Sequence, residues 1–258
     1  MIEGIHFVDE GPREGPCVLF AGALGTTVSL WDRLLPHLPN GLRIIRYDLR
    51  GHGQSACPDG PYFMGDLVQD AARLLDHLGA KDVVFVGLSI GGMIAQGLAA
   101  ERLDLVRGLV ISNSATKIGT TQIWEDRAKI VRENGLEPLA DATMERWFGR
   151  KFRETSPQIV AACRGALMAQ YPQGYAGCAM AIGETDLYES TARLKLPTLG
   201  IAGTNDGSIP PDMVRETVDL VAGAQFELIR GAGHLPCVDA PEAYAASLTR
   251  FLTSIGHL

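Results

Sequence analysis

Gly87-Leu88-Ser89-Ile90-Gly91-Gly92 is preceded by the apolar, largely β-branched run Val83-Val84-Phe85-Val86 and followed by the small-residue segment Met93-Ile94-Ala95-Gln96-Gly97-Leu98-Ala99-Ala100. The order reads as strand, sharp turn, helix. The turn fits Gly-x-Ser-x-Gly, the spacing of a nucleophile elbow. A serine at the tip of so tight a turn sits on strained backbone, and the residues two places before and after it need to lack side chains. The helix that starts there aims its free N–H groups at any anion forming beside the serine.

Outward from the elbow, the pattern is strands alternating with helices. Towards the N-terminus lie the strand-like runs His6–Gly11, Cys17–Ala21 and Arg43–Leu49, a short helix over Leu30–Pro36, and a helix over Met64–Leu78 with one apolar face (Leu67, Val68, Ala71, Leu74, Leu75, Leu78). Beyond the elbow come the strands Leu105–Ile111, Pro197–Gly203 and Phe226–Arg230, with helices over Met213–Val221 and Glu242–Ile255. This rhythm predicts an α/β fold, a mainly parallel sheet with helices on both faces. Between Thr116 and Thr191 the strand-like runs vanish and helical stretches appear, carrying Trp124, Trp147, Phe148, Phe152, Tyr171, Tyr175 and Tyr188. The expected organisation is therefore a core of residues 1–115 and 192–258, with an inserted helical cap over 116–191.

The bulk properties narrow the function. At 258 residues, 46% hydrophobic and 21% charged, the chain suits one large α/β domain. A net charge of −7 argues against a nucleic-acid partner and obliges any anionic substrate to find a local cation. No apolar run approaches the ~20 residues of a membrane span, so no membrane association is expected. Met1-Ile2-Glu3-Gly4-Ile5 lacks the basic-then-apolar pattern of a secretory signal. The five cysteines, 17, 57, 163, 178 and 237, are dispersed, which argues against a disulfide framework or a zinc site and for the cytoplasm. No cluster has metal-ligand spacing, and Gly22-Ala23-Leu24-Gly25 lacks the pattern of a dinucleotide loop, so neither metal nor cofactor is expected.

In an α/β sheet the ligand lies beyond the carboxyl ends of the strands. Three polar residues stand there: Ser89 after 83–88, Asp206 after 197–203, and His234 after 226–230. Their chain order, Ser, Asp, His, is that of one class of serine hydrolase and not of others. Ser89 would be the nucleophile, His234 the base that takes its proton and returns it to the leaving group, and Asp206 the carboxylate that orients the imidazole. The oxyanion would be received by the Ile90 N–H and by an N–H of the loop after 17–21, at Leu24 or its neighbour Ala23. Arg50 and His52, in Arg50-Gly51-His52-Gly53-Gln54-Ser55, are expected to hold the adjacent loop. His6, His37, His77 and His257 are expected at the surface, and Cys237 as a small buried side chain.

These residues, with Tyr47-Asp48-Leu49-Arg50-Gly51-His52-Gly53-Gln54-Ser55 ahead of the elbow, resemble the α/β-hydrolase superfamily along nearly the whole chain. Within it the chain is most similar to 3-oxoadipate enol-lactone hydrolases. That likeness is carried by Asn113-Ser114-Ala115-Thr116-Lys117-Ile118-Gly119, Trp124-x-x-Arg127, Leu139-Ala140-Asp141-Ala142, Arg146-Trp147-Phe148, Gly174-Tyr175-Ala176 and Ala181-Ile182. Ile90 stands where the family often has Met. The resemblance implies a small anionic lactone, opened to 3-oxoadipate through an acyl-enzyme during aromatic-acid breakdown. It also implies a cation for the substrate carboxylate. Arg127 is the first choice, since it shares a helix face with Trp124, and Arg146 and Lys117 stand behind it. Trp124 and Trp147 either line the pocket or pack the cap. A carboxylesterase, a cofactor-free perhydrolase and a non-catalytic binding protein are the competing expectations on this scaffold.

Overall fold

The computed structural model describes residues 4–258. Met1–Glu3, the start of the segment inspected for a signal, lie outside the described residues. The sheet contains β1 (Phe7–Glu10), β2 (Cys17–Ala21), β3 (Arg43–Tyr47), β4 (Val83–Leu88), β5 (Val106–Ser112), β6 (Thr198–Gly203) and β7 (Gln225–Ile229). These form one seven-stranded sheet in the order β1-β3-β2-β4-β5-β6-β7. Only β1 runs antiparallel, pairing Phe7 with Tyr47. The parallel strands β2 and β4 are buried along their whole length, which is why they read as continuous apolar runs rather than alternating ones.

The strand order places the site. From β2 the chain steps outward to β3, then crosses back to lay β4 on the other side of β2. The connections leaving β2 and β4 therefore diverge and open a crevice at their carboxyl ends. The loop 22–27 follows β2 and Ser89 follows β4, so both stand at this crevice.

The helices largely follow the sequence pattern. The first, α1 (Met64–Leu78), buries Leu67, Val68, Ala71, Leu74 and Leu75 and ends at Gly79 in the left-handed conformation (φ 60°). It packs on α2 (Ile90–Glu101), which runs against β4 and β5 and is buried almost all round. Between β5 and β6 the chain is helical: α3 (Thr121–Asn134), α4 (Glu137–Trp147), α5 (Arg150–Thr155), α6 (Pro157–Met168), α7 (Pro172–Gly183) and α8 (Tyr188–Ala192). Within this segment α3 packs on α7 and α4 on α6, while α8 packs on α2. The remaining helices are α9 (Pro211–Asp219), α10 (Pro236–Asp239) and α11 (Pro241–Ser254). None of the described helices is long and apolar enough to cross a membrane.

Two local expectations are corrected. The segment Leu30–Pro36 is not an α-helix but two 3₁₀ turns, Val28–Trp31 and Leu35–His37. The run is too short to propagate, and Pro36 contributes no N–H. The histidines His6 and His257 are not surface residues. His6 is part-buried with Nδ1 2.8 Å from Asp48 Oδ2, and His257 is buried with Nε2 3.0 Å from the Cys17 carbonyl. His257 thereby satisfies a carbonyl at the start of β2, and His6 pairs with a buried carboxylate just beyond β3.

Candidate active site

Ser89 is the first residue after β4 and the cap of α2, with φ 58° and ψ −119°. Few non-glycine residues adopt positive φ, and one that does so at a strand end marks stored strain. The glycines make the conformation attainable. A Cβ on Gly87 would lie 2.1 Å from the Gly91 carbonyl oxygen, and one on Gly91 would lie 2.2 Å from that of Ala21. The Ser114 hydroxyl braces the turn by donating to the Ser89 carbonyl at 2.6 Å.

His234 and Asp206 meet at this crevice. The two side chains are almost wholly buried, and His234 Nδ1–H donates to Asp206 Oδ2 at 2.9 Å. Asp206 accepts further bonds from Asn113 Nδ2 (2.8 Å), Ser208 N (2.7 Å) and Ile209 N (3.0 Å). Burial pushes its carboxyl up, but the imidazole and these donors outweigh burial and hold it below the usual carboxylate range. It thus stays ionised, with the bond to Nδ1 leaving Nε2 of His234 to face the cavity. Asn113, itself at φ 45°, is a site residue that the sequence pattern does not single out. The signal exists, since it follows β5 at a strand end like the other three.

Behind His234 lies a second carboxylate that sequence reasoning misses. Asp239 Oδ2 accepts from Gly233 N at 2.7 Å, while its Oδ1 is buried without a partner among the described residues. Burial pushes this carboxyl up to about 7, the Gly233 N–H partly offsets that, and the nearby Asp206 charge adds to it. A carboxyl whose folded pKa is raised binds its proton more tightly folded than unfolded. Stability therefore falls as pH rises from about 4, the unfolded value, through about 7. Asp239→Asn keeps an oxygen for Gly233 N but cannot ionise. Its melting temperature relative to wild type is expected to climb between pH ~5 and pH ~8, measured by scanning calorimetry. A constant difference across that range would show that Asp239 does not titrate there.

On the other side of Ser89, the loop after β2 turns at Ala23–Thr26, where Ala23 O accepts from Thr26 N (3.1 Å) and Thr26 Oγ1 (2.7 Å). The Leu24 N–H has no acceptor among the described residues. The Ile90 N–H is the first of α2 and has no intrahelical acceptor. Leu24, Ser89 and His234 all line one cavity of about 310 Å³, of a size for a small molecule.

The cavity's far wall comes from the inserted helices: Trp124 and Arg127 of α3, Thr143, Arg146 and Trp147 of α4, and Tyr175 of α7. Arg127 Nε donates to Tyr175 Oη at 2.8 Å, and Arg127 and Arg146 each donate to Thr143 Oγ1 at 3.2 Å. The guanidinium of Arg127 also lies 6.0 Å from the Trp124 ring centroid and 5.6 Å from that of Tyr175. Neither arginine pairs with a carboxylate among the described residues, whereas most other arginines of the chain do. Burial and the charge of Arg127 together hold Arg146 below its usual value. Trp147 is buried and also lines a neighbouring apolar cavity. The structure does not bring Lys117 here: it is exposed and paired with Asp186 at 3.2 Å. Thr143 and Tyr175 are site residues beyond those expected from sequence. Their contact with Arg127 depends on how three helices pack, which no local spacing encodes.

Other groups expected nearby behave simply. Arg50 forms a two-pronged pair with Asp70 at 2.7 and 2.9 Å, and His52 Nε2 accepts from Gly25 N at 3.0 Å. Cys237 is buried, with its thiol pushed well up by burial, so it is no nucleophile at neutral pH. All five cysteines are free. No group of three or more His, Cys, Asp or Glu side chains able to hold a metal occurs among the described residues.

Residues 18–247 match the sequence model of the alpha/beta hydrolase family. The chain is 34% identical to 3-oxoadipate enol-lactonase 2 of Acinetobacter baylyi, covering 93% of this chain and 90% of that one. It is 32% identical to 3-oxoadipate enol-lactonase 1 of the same organism, covering 95% and 91%. Among solved structures, the enol-lactonase from Burkholderia xenovorans LB400 superposes with a TM-score of 0.93 at 33% identity, covering 96% of each chain. The chain belongs to the alpha/beta hydrolase family, and it is a hydrolase.

Proposed function

We propose that the protein opens 3-oxoadipate enol-lactone to 3-oxoadipate by a serine mechanism, in the breakdown of aromatic acids. The observation that carries the substrate class is the pair Arg127 and Arg146, two guanidiniums without a carboxylate partner among the described residues, facing the cavity that holds Ser89 and His234. In a chain of net charge −7, such a pair suits a substrate that carries its own carboxylate. The names of the two enol-lactonase relatives point the same way.

The chemistry follows from the groups present. Ser89 Oγ attacks the ring carbonyl as its proton passes to His234 Nε2. The carbonyl oxygen becomes negative between the N–H groups of Leu24 and Ile90. Collapse breaks the bond to the ring oxygen, which leaves as an enolate, takes the proton from His234, and rearranges to a ketone. Because the enolate is a better leaving group than an alkoxide, this step makes modest demands. Water, deprotonated by His234, then attacks the acyl carbon and releases the new carboxylic acid and Ser89. Asp206 stabilises the imidazolium in both halves. The helical segment 116–191 would serve as the cap that excludes bulk water and reads the carboxylate arm. The free, dispersed thiols fit a cytoplasmic enzyme.

The test is turnover of the enol-lactone, followed as loss of its ultraviolet absorbance. The lactone is expected to be consumed with kcat/KM at least 10²-fold above that for p-nitrophenyl acetate, a neutral ester. Hydrolysis of the ester with the lactone untouched would assign a simple esterase instead.

A further inference from the structure

The loop that carries Leu24 is pinned at two successive peptides. The first is Ala23–Leu24. Its carbonyl is turned towards Thr26, which donates to it through both N and Oγ1. In a trans peptide the N–H lies opposite the carbonyl, so the Leu24 N–H faces away from Thr26. The second is Leu24–Gly25, the central peptide of the Ala23–Thr26 turn. Turns of type I and type II differ by a flip of that central peptide, and glycine at the third position permits both. Here Gly25 has φ 86°, the type II sense. The bond that selects it is Gly25 N–H to His52 Nε2, 3.0 Å.

His52 is fully buried and its other nitrogen, Nδ1, lies 3.1 Å from the Arg50 carbonyl oxygen. An imidazole that accepts at Nε2 and donates at Nδ1 is neutral and in the Nδ1–H tautomer. The groups facing it are the Arg50 carbonyl from its own loop, the Asp48 carboxylate, and the Tyr175 ring of α7 at 6.4 Å. Asp48 is already engaged by Val28 N, Gln54 N and His6 Nδ1. Burial disfavours the charged imidazole by more than the Arg50 carbonyl and Asp48 favour it.

We propose that His52 is a positioning residue for the oxyanion hole: by holding the Leu24–Gly25 peptide it locks the turn whose preceding peptide, fastened at the Ala23 carbonyl by Thr26, presents the Leu24 N–H to the negative oxygen at Ser89. It contacts no substrate and takes no proton from one. This rests on the serine mechanism proposed above but not on the lactone as substrate, so it is measured on p-nitrophenyl acetate. Loss of the mechanism itself would be visible separately, as undiminished activity in Ser89→Ala.

The variants are His52→Ala and His52→Gln, the second restoring an acceptor near the position of Nε2. His52→Ala is expected to lower kcat on the order of 10- to 100-fold with KM changed less than about twofold, less than the 10²- to 10³-fold loss from deleting a donor outright. The inhibition constant of an aryl boronic acid, which forms a tetrahedral adduct with the serine, should rise in parallel with the fall in kcat/KM. His52→Gln should recover most of both. Equal losses in the two variants, a rise in KM that accounts for the change, or an unaltered boronate constant would overturn the proposal. Should neither variant fold, ¹⁵N-histidine NMR on the wild type decides. An Nδ1–H, Nε2-bare ring is expected at neutral pH, and a proton on Nε2 there would refute the arrangement.

Discussion

Ser89→Ala is expected to lower kcat/KM on lactone and ester alike by roughly 10⁴- to 10⁶-fold, with an unchanged fold. The fold should survive because alanine carries the same Cβ as serine and meets the same φ of 58°. The bonds that shape the turn, Ser89 N to Ser112 O and Ser114 Oγ to Ser89 O, use backbone atoms of residue 89 and persist. The loss should be large because nothing else in the cavity can replace the serine. Asp206 is enclosed by four donors, and Cys237 is buried with its thiol held protonated. The remaining hydroxyls lining the cavity are those of Thr143, Tyr175 and Ser208. Thr143 and Tyr175 are taken up by Arg127, which leaves Ser208 as the informative control. Ser208→Ala should keep kcat within about threefold, since its contribution to Asp206 is a backbone N–H. Steady-state kinetics on both variants, with circular dichroism to confirm the fold, checks the pair. A Ser89→Ala enzyme within tenfold of wild type would end the serine mechanism.

The parts of the site that sit at strand ends are legible in the amino-acid sequence. Gly87-x-Ser89-x-Gly91 demands a tight turn because its strand and helix are both written in the flanking residues. Asp206 and His234 emerge once each strand is searched for a polar residue just past its carboxyl end. The parallel sheet is readable for a related reason: strands buried on both faces leave unbroken apolar runs. The relations between elements are not legible. Arg146 lies three residues from Thr143 on α4, but nothing in the local sequence says that Thr143 also receives Arg127, because that depends on α3 and α4 packing side by side. Asp239, five residues beyond His234, looks in the sequence like the end of a short helix, and its burial comes from α10 folding beneath the His234 loop. His52 reads as a loop holder, but which loop it holds depends on the tertiary contact with Gly25.

The arginine pair gives the second large effect, and it separates binding from stability. Removing one charged hydrogen-bonding partner of a carboxylate typically costs about 1.5–3 kcal/mol, or roughly 10- to 150-fold in affinity. Arg127→Gln is therefore expected to raise KM for the lactone by 10-fold or more, Arg146→Gln by a smaller factor, and the double variant to lower kcat/KM by about 10³-fold. Activity on the neutral ester should stay within about threefold in all three, because neither arginine reaches towards Ser89 or His234 for its own hydrogen bonds. Stability should move the other way. The two guanidiniums share Thr143 Oγ1 and repel one another, and the proximity of Arg127 is one of the causes that hold Arg146 below its usual value. Relieving that repulsion in Arg146→Gln should leave the melting temperature equal to or above wild type, the pattern of a site held under strain for binding. A structural arginine would behave oppositely, lowering the melting temperature while affecting lactone and ester to the same degree. Measuring KM on both substrates alongside thermal melting therefore distinguishes the two roles within one set of variants.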